Sequence, residues 1–147
     1  MENEKKDIFK QAEKILYDYK YLEPKIKTIE LKIKQIENNS TLSSIDYSKE
    51  KLSKTNSFSS EVEDEVIRRE EKITKLEKEK NDLIYRKDII DTFVNTLVED
   101  YKQLVRYRYF NNPKLSWKEI SLNMNVSVDT CIRFRRDIIR KAINYLL

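Results

Sequence analysis

The chain has 147 residues, 38% of them charged, a formal net charge of +4, and neither glycine nor histidine. A glycine-free chain is poor in tight turns and has no phosphate-cradling loop, and without histidine it lacks the commonest general base and metal ligand. One cysteine, Cys131, excludes an internal disulfide and a cysteine cluster for zinc. The expected fold is therefore all-α: long helices with few connections. Its acids, lysines and tyrosines sit at exposed helical spacing, so no catalytic residue, metal or cofactor is expected. No apolar run approaches a membrane span. The charged start, Met-Glu-Asn-Glu-Lys-Lys, has no apolar core after it, so no signal peptide is expected.

Residues 1–37 read as one long helix. Ile8, Ala12, Ile15, Tyr19, Leu22, Ile26, Ile29, Ile33 and Ile36 alternate steps of four and three, giving an apolar stripe with Lys and Glu on the other faces. Pro24 lies off this stripe. It removes the hydrogen bond to residue 20 and predicts a kink, while the unbroken seam favours one bent helix over two. Residues 38–60 are rich in Ser, Thr, Asn and Lys without a period and read as a polar flexible linker.

Residues 61–96 form the second long helix, opened by a capping box of Ser60 with Glu63. Its seam runs Val62, Val66, Arg69, Ile73, Leu76, Lys80, Leu83, Lys87, Ile90 and Val94, then on through Leu97, Tyr101 and Leu104. Three basic residues make this seam weak or partly wet. The simplest arrangement is an antiparallel coiled-coil hairpin within one chain. Pairing with a second chain, as a homo-oligomer, remains open.

A break near Asn95 or Thr96 opens the last unit, 97–147, with three helices at about 97–110, 117–124 and 128–147. Asn111, Asn112 and Pro113 end the first of these. Trp117 and the aromatics of 107–110 are expected core residues. Ser116 with Glu119 makes a capping box, and Ser127 is the next N-cap, with Asp129 in the first turn after it. Asn125 falls where the connecting turn needs a left-handed backbone, which asparagine tolerates next best after glycine. Small Ser121 and the apolar Ile120, Met124, Val126, Cys131 and Phe134 complete a helix-turn-helix pattern.

Charge follows this division. Residues 101–147 hold ten Lys and Arg against three acids, a balance of +7, and residues 1–100 hold twenty against 23, a balance of −3. The basic excess sits on the segment that double-stranded DNA would meet. If the last helix packs through Cys131, Phe134 and Ile138, its outer face carries Val128, Asp129, Ile132, Arg133 and Arg136, the expected base contacts. Lys118, Ser127, Thr130, Arg135, Arg140 and Lys141 are the expected phosphate contacts.

Residues 101–147 resemble the C-terminal helix-turn-helix of bacterial sigma factors, their region four. The resemblance lies in Leu-Val-Arg-Tyr-Arg-Tyr-Phe, Trp-Lys-Glu-Ile-Ser and Asn-Val-Ser-Val-Asp-Thr. It implies base contacts at Val128, Asp129, Ile132 and Arg133. The whole chain is similar to phage-encoded RinA/ArpU-type late-transcription regulators, through Leu-Tyr-Asp-Tyr-Lys, the polar tract, Glu-Asp-Glu-Val-Ile-Arg-Arg-Glu and the sigma-like end. That resemblance implies a sequence-specific activator of late phage or prophage genes in the bacterial host cytoplasm, with host RNA polymerase as a second partner. Two other readings compete: a coiled-coil interaction protein whose C-terminal unit only packs, and a small terminase-like DNA-packaging component.

Overall fold

The computed structural model describes residues 1–44 and 57–147, with side chains for 1–39 and 60–147. The fold is all-α. The elements are α1 (Glu2–Ser44), α2 (Ser57–Asn95), α3 (Glu99–Val105) with a π-helical turn (Arg106–Phe110), α4 (Trp117–Met124) and α5 (Val128–Leu146). α1 runs through Pro24 as one helix. It ends at Ser44 rather than residue 37, and α2 starts at Ser57, ahead of the Ser60 box. Both long helices therefore extend into the expected 38–60 linker, whose remainder, 45–56, lies outside the described residues. The serines and asparagines of 38–44 have modest helix propensity, but they continue a long helix already formed, where each further residue adds a bond without a new nucleation step.

The chain divides into two units, one of Met1–Pro24 with Ile84–Leu147 and one of Lys25–Leu83. The division differs from a break at residue 97. The first 24 residues and the end of α2 belong with the C-terminal helices, because they supply part of the same core.

In the larger unit α1 and α2 are antiparallel. Tyr19 Oη–H donates to Asp91 Oδ1 at 2.6 Å, and Lys87 Nζ lies 4.0 Å from Glu23 Oε2, so residues descend on one helix as they rise on the other. Ala12, Leu16, Phe93, Leu104, Val105, Tyr109, Ile120, Cys131, Ile138, Ile139 and Ala142 are fully buried. Each of the larger apolar side chains contributes about 1.5–3 kcal/mol by leaving water. The heptad reading places Ala12 correctly and passes over Leu16 and Phe93. These two lie beside the seam and are covered because the C-terminal helices add a second packing surface.

In the smaller unit Ile26, Ile29 and Ile33 of α1 are buried. On α2 the expected seam residues Arg69, Ile73, Leu76, Lys80 and Leu83 are half-buried, and Val66 is exposed. This is the wet seam that its basic residues predict.

α3 packs against α4 and α5, and α4 packs against α5. The break before α3 falls at the expected place: Thr96 N–H donates to Phe93 O and Leu97 N–H to Val94 O, closing α2 in a tight final turn. After α3 the helix widens, and Asn111 N–H reaches back five residues to Arg106 O at 2.8 Å. The chain then turns away at Asn111, whose backbone is extended, and the Asn112–Pro113 bond is cis.

Candidate nucleic-acid interface

The helix-turn-helix is built from local signals that the sequence spells out. Ser116 Oγ accepts from Glu119 N–H at 3.2 Å, and Glu119 Oε2 accepts from Ser116 N–H at 2.7 Å, a reciprocal box at the start of α4. The bonds to Ser116 hold the Glu119 carboxyl below its usual range. At the far end of α4, Asn125 takes φ 56° and ψ 41°, the left-handed conformation expected of it. Val126 N–H then donates to Ser121 O at 3.1 Å, closing the turn. Ser127 Oγ accepts from Thr130 N–H at 3.1 Å and opens α5. Ser121 is buried, so α5 approaches α4 closely there.

α5 presents two faces. Cys131, Ile138, Ile139 and Ala142 are buried in the core. Burial raises the Cys131 thiol above its ordinary value, which fits a small core hydrophobe. Phe134 is half-buried against the Tyr101 ring, with centroids 5.0 Å apart, and Tyr101 Oη–H donates to Asp137 Oδ2 at 3.1 Å. Burial and then the Asp137 carboxylate raise the Tyr101 hydroxyl.

On the opposite face Val128, Asp129, Arg133, Arg136 and Arg140 are exposed, and Ile132 is half-buried at its edge. Arg133, Arg136 and Arg140 follow steps of three and four and so lie in one outward row. Arg136 has no ion-pair partner among the described residues, whereas Arg140 lies 3.9 Å from Asp137. Among the expected phosphate contacts Lys118, Ser127 and Lys141 are exposed and Thr130 is half-buried. Thr130 Oγ1 and Ser127 Oγ are 2.8 Å apart, one hydroxyl donating a hydrogen bond to the other.

Arg135 departs from the sequence expectation. Its guanidinium does not face outward for a phosphate: Nε and Nη2 each donate to a carboxylate oxygen of Glu13 on α1, at 2.6 Å. The Phe9 ring lies 5.2 Å beneath it. Glu13 also accepts from Tyr109 Oη–H at 2.8 Å. Burial alone would raise the Glu13 carboxyl, but the hydrogen bonds from Arg135 and Tyr109 outweigh it and hold it below the usual carboxylate range. Arg135 is correspondingly raised, first by its bonds to Glu13, and Tyr109 is raised by burial and by the same carboxylate. One carboxylate thus ties α1, the π-helical turn and α5.

A second tie uses Arg108. Its Nε donates to Tyr17 Oη at 2.9 Å, its Nη1 donates to Leu115 O at 2.9 Å, and its plane covers the half-buried Trp117 ring at 4.4 Å. Tyr17 meets Tyr109 edge to face at 4.7 Å, and Tyr19 stacks on Phe110 at 3.8 Å. Of the aromatics of 107–110 only Tyr109 is fully buried, while Tyr107 and Phe110 are half-buried, and the rings that Tyr109 and Phe110 meet come from α1. Glu13, Tyr17 and Arg108 escape a sequence reading because their partners are distant in the chain. The available hint is that Glu13 sits beside Ala12 on the margin of the apolar stripe.

Among the described residues no helix is long and apolar enough to cross a membrane. No curated protein and no solved structure matches the chain. A family model described as "Protein of unknown function (DUF722)" matches residues 9–144, nearly the whole length, so that the chain belongs to the DUF722 family.

Proposed function

We propose that the protein is a sequence-specific DNA-binding transcription regulator. The observation that carries this reading is the outward row Arg133, Arg136 and Arg140 on a helix whose opposite face is buried, set behind a capped helix and a left-handed turn at Asn125. A helix offered in this way suits the major groove of a duplex, where arginine grips the guanine edge with two hydrogen bonds. Val128, Asp129, Arg133 and Arg136 meet base edges, with Ile132 at the margin. Lys118, Ser127, Thr130, Arg140 and Lys141 meet phosphates, which fix register without reading sequence. The balance of +7 over residues 101–147 supports the same partner. The resemblance to late-transcription regulators makes the regulator an activator of phage or prophage genes in a bacterial cytoplasm, with host RNA polymerase as its second contact.

The test is binding of purified protein to duplexes from the DNA flanking its own gene, across a salt series. A sequence-selective duplex should emerge, with log affinity falling linearly as log salt rises, because neutralised phosphates release counterions. Equal, weak binding to every duplex at low salt would contradict the proposal and favour a coiled-coil interaction protein. A ring of many subunits by solution mass would favour a packaging component.

A further inference from the structure

We propose that Glu13 is a positioning residue for the DNA-reading face: α1, outside the helix-turn-helix, sets the angle at which α5 is offered. The inference rests on the DNA-binding reading and deepens it. α5 is anchored at its far half by Ile138, Ile139 and Ala142 and near its start by Cys131. Apolar contacts of this kind hold a helix against the core but are non-directional, and they leave roll about the axis loosely specified. Arg135 lies between the two anchors. Its paired bonds to Glu13, both 2.6 Å, form a planar fork that fixes direction as well as distance. Tyr109 Oη–H on the same carboxylate stops Glu13 from following Arg135 if the helix turns. Arg136, next in sequence, points outward, so the roll that Glu13 fixes on one side aims the neighbouring arginine on the other.

The same pair has a second consequence. Arg135 is neutralised by Glu13 and does not count among the cations that DNA would meet. Removing the carboxylate frees that charge while loosening the helix.

The experiment compares wild type, Glu13→Gln and the charge-swapped double variant Glu13→Arg with Arg135→Glu. Each is titrated with the selected duplex and with an unrelated duplex of equal length, across a salt series. For Glu13→Gln the ratio of selective to unselective affinity should fall about tenfold, comparable to the loss of one base-pair match. The salt slope on the unrelated duplex should steepen by about one counterion. The double variant should restore much of the ratio. A stabilising role alone would lower both affinities together and leave the slope unchanged. A selective wild type whose ratio survives Glu13→Gln would overturn this inference while leaving the DNA reading intact. If Glu13→Gln does not fold, the double variant decides, and its failure to recover selectivity overturns the inference. A wild type without selective binding overturns the DNA reading and this inference with it.

Discussion

Along α2 the two units of this chain use the same seam pattern and reach different packing, whereas on α1 the smaller unit also buries Ile26, Ile29 and Ile33. In Lys25–Leu83, α2 offers Arg69, Ile73, Leu76, Lys80 and Leu83 at heptad spacing, and all five are half-buried. In the unit of Met1–Pro24 and Ile84–Leu147, the same rhythm continues into Ile90 and Val94, which are buried. Along α2, periodicity places a residue on an inner face, but the elements covering that face and the basic residues within it set how dry it becomes. Where two helices alone meet, lysine and arginine stems lie along the seam and keep their charges in water. Where α3, the π-helical turn, α4 and α5 are added, residues beside the seam, such as Leu16 and Phe93, become core as well.

The comparison can be broken most forcefully by truncating one core residue in each unit. Leu104→Ala in the larger unit should cost about 2–5 kcal/mol, because the cavity cannot collapse among so many neighbours. Ile73→Ala in the smaller unit should cost roughly 1 kcal/mol, since its side chain keeps part of its surface in water. Urea denaturation followed by circular dichroism measures both, and equal losses would erase the distinction.

Glu13→Ala comes next. It leaves Arg135 and Tyr109 without their shared acceptor, at a cost of about 1–3 kcal/mol given that Arg135 keeps 30% exposure and Glu13 12%. The pH dependence has a definite sign. The folded Glu13 carboxyl is held below its ordinary value of 4.5, so its contribution is fully present above that value and is lost as pH falls through the lower folded one. Wild type should therefore lose stability below about pH 4.5 more steeply than Glu13→Gln does. Parallel acid melts of the two proteins would contradict the pairing.

Smaller effects sharpen the local side of the comparison. Asn125→Ala should cost about 1 kcal/mol, because a Cβ without a polar tip is penalised in the left-handed region, whereas Asn125→Gly should be nearly neutral. Ser116→Ala should cost about 1 kcal/mol through loss of the α4 cap. Thermal melts of the three variants check the ranking, and an Asn125→Gly that falls below Asn125→Ala would sink the turn assignment.

These contrasts also explain what was legible beforehand. Ser116 with Glu119, Asn125 and Ser127 are read from neighbours three or four residues away, and the structure places all of them as expected. The outward row of Arg133 and Arg136 follows from one helical period once Cys131 and Ile138 are taken as the inner face. Arg135 differs from its expected place because helical spacing alone leaves it on the flank of α5, where solvent and a neighbouring helix are both available. Its partner Glu13 lies 122 residues away and resembles any other acid on an amphipathic helix. The widened turn at Arg106–Phe110 had no sequence signal, since its residues suit an ordinary helix equally well. Composition changes mark the linker edges at residues 38 and 60, and the helices run past both.

The central claim is that the exposed arginines of α5 read a duplex. Its most direct test is the sequence preference of Arg133→Ala, measured by selecting from a randomised duplex pool alongside wild type. The account predicts that the variant still binds DNA but loses discrimination at one position, by about 1–3 kcal/mol. A variant that selects the same sequence as wild type with undiminished preference would contradict it.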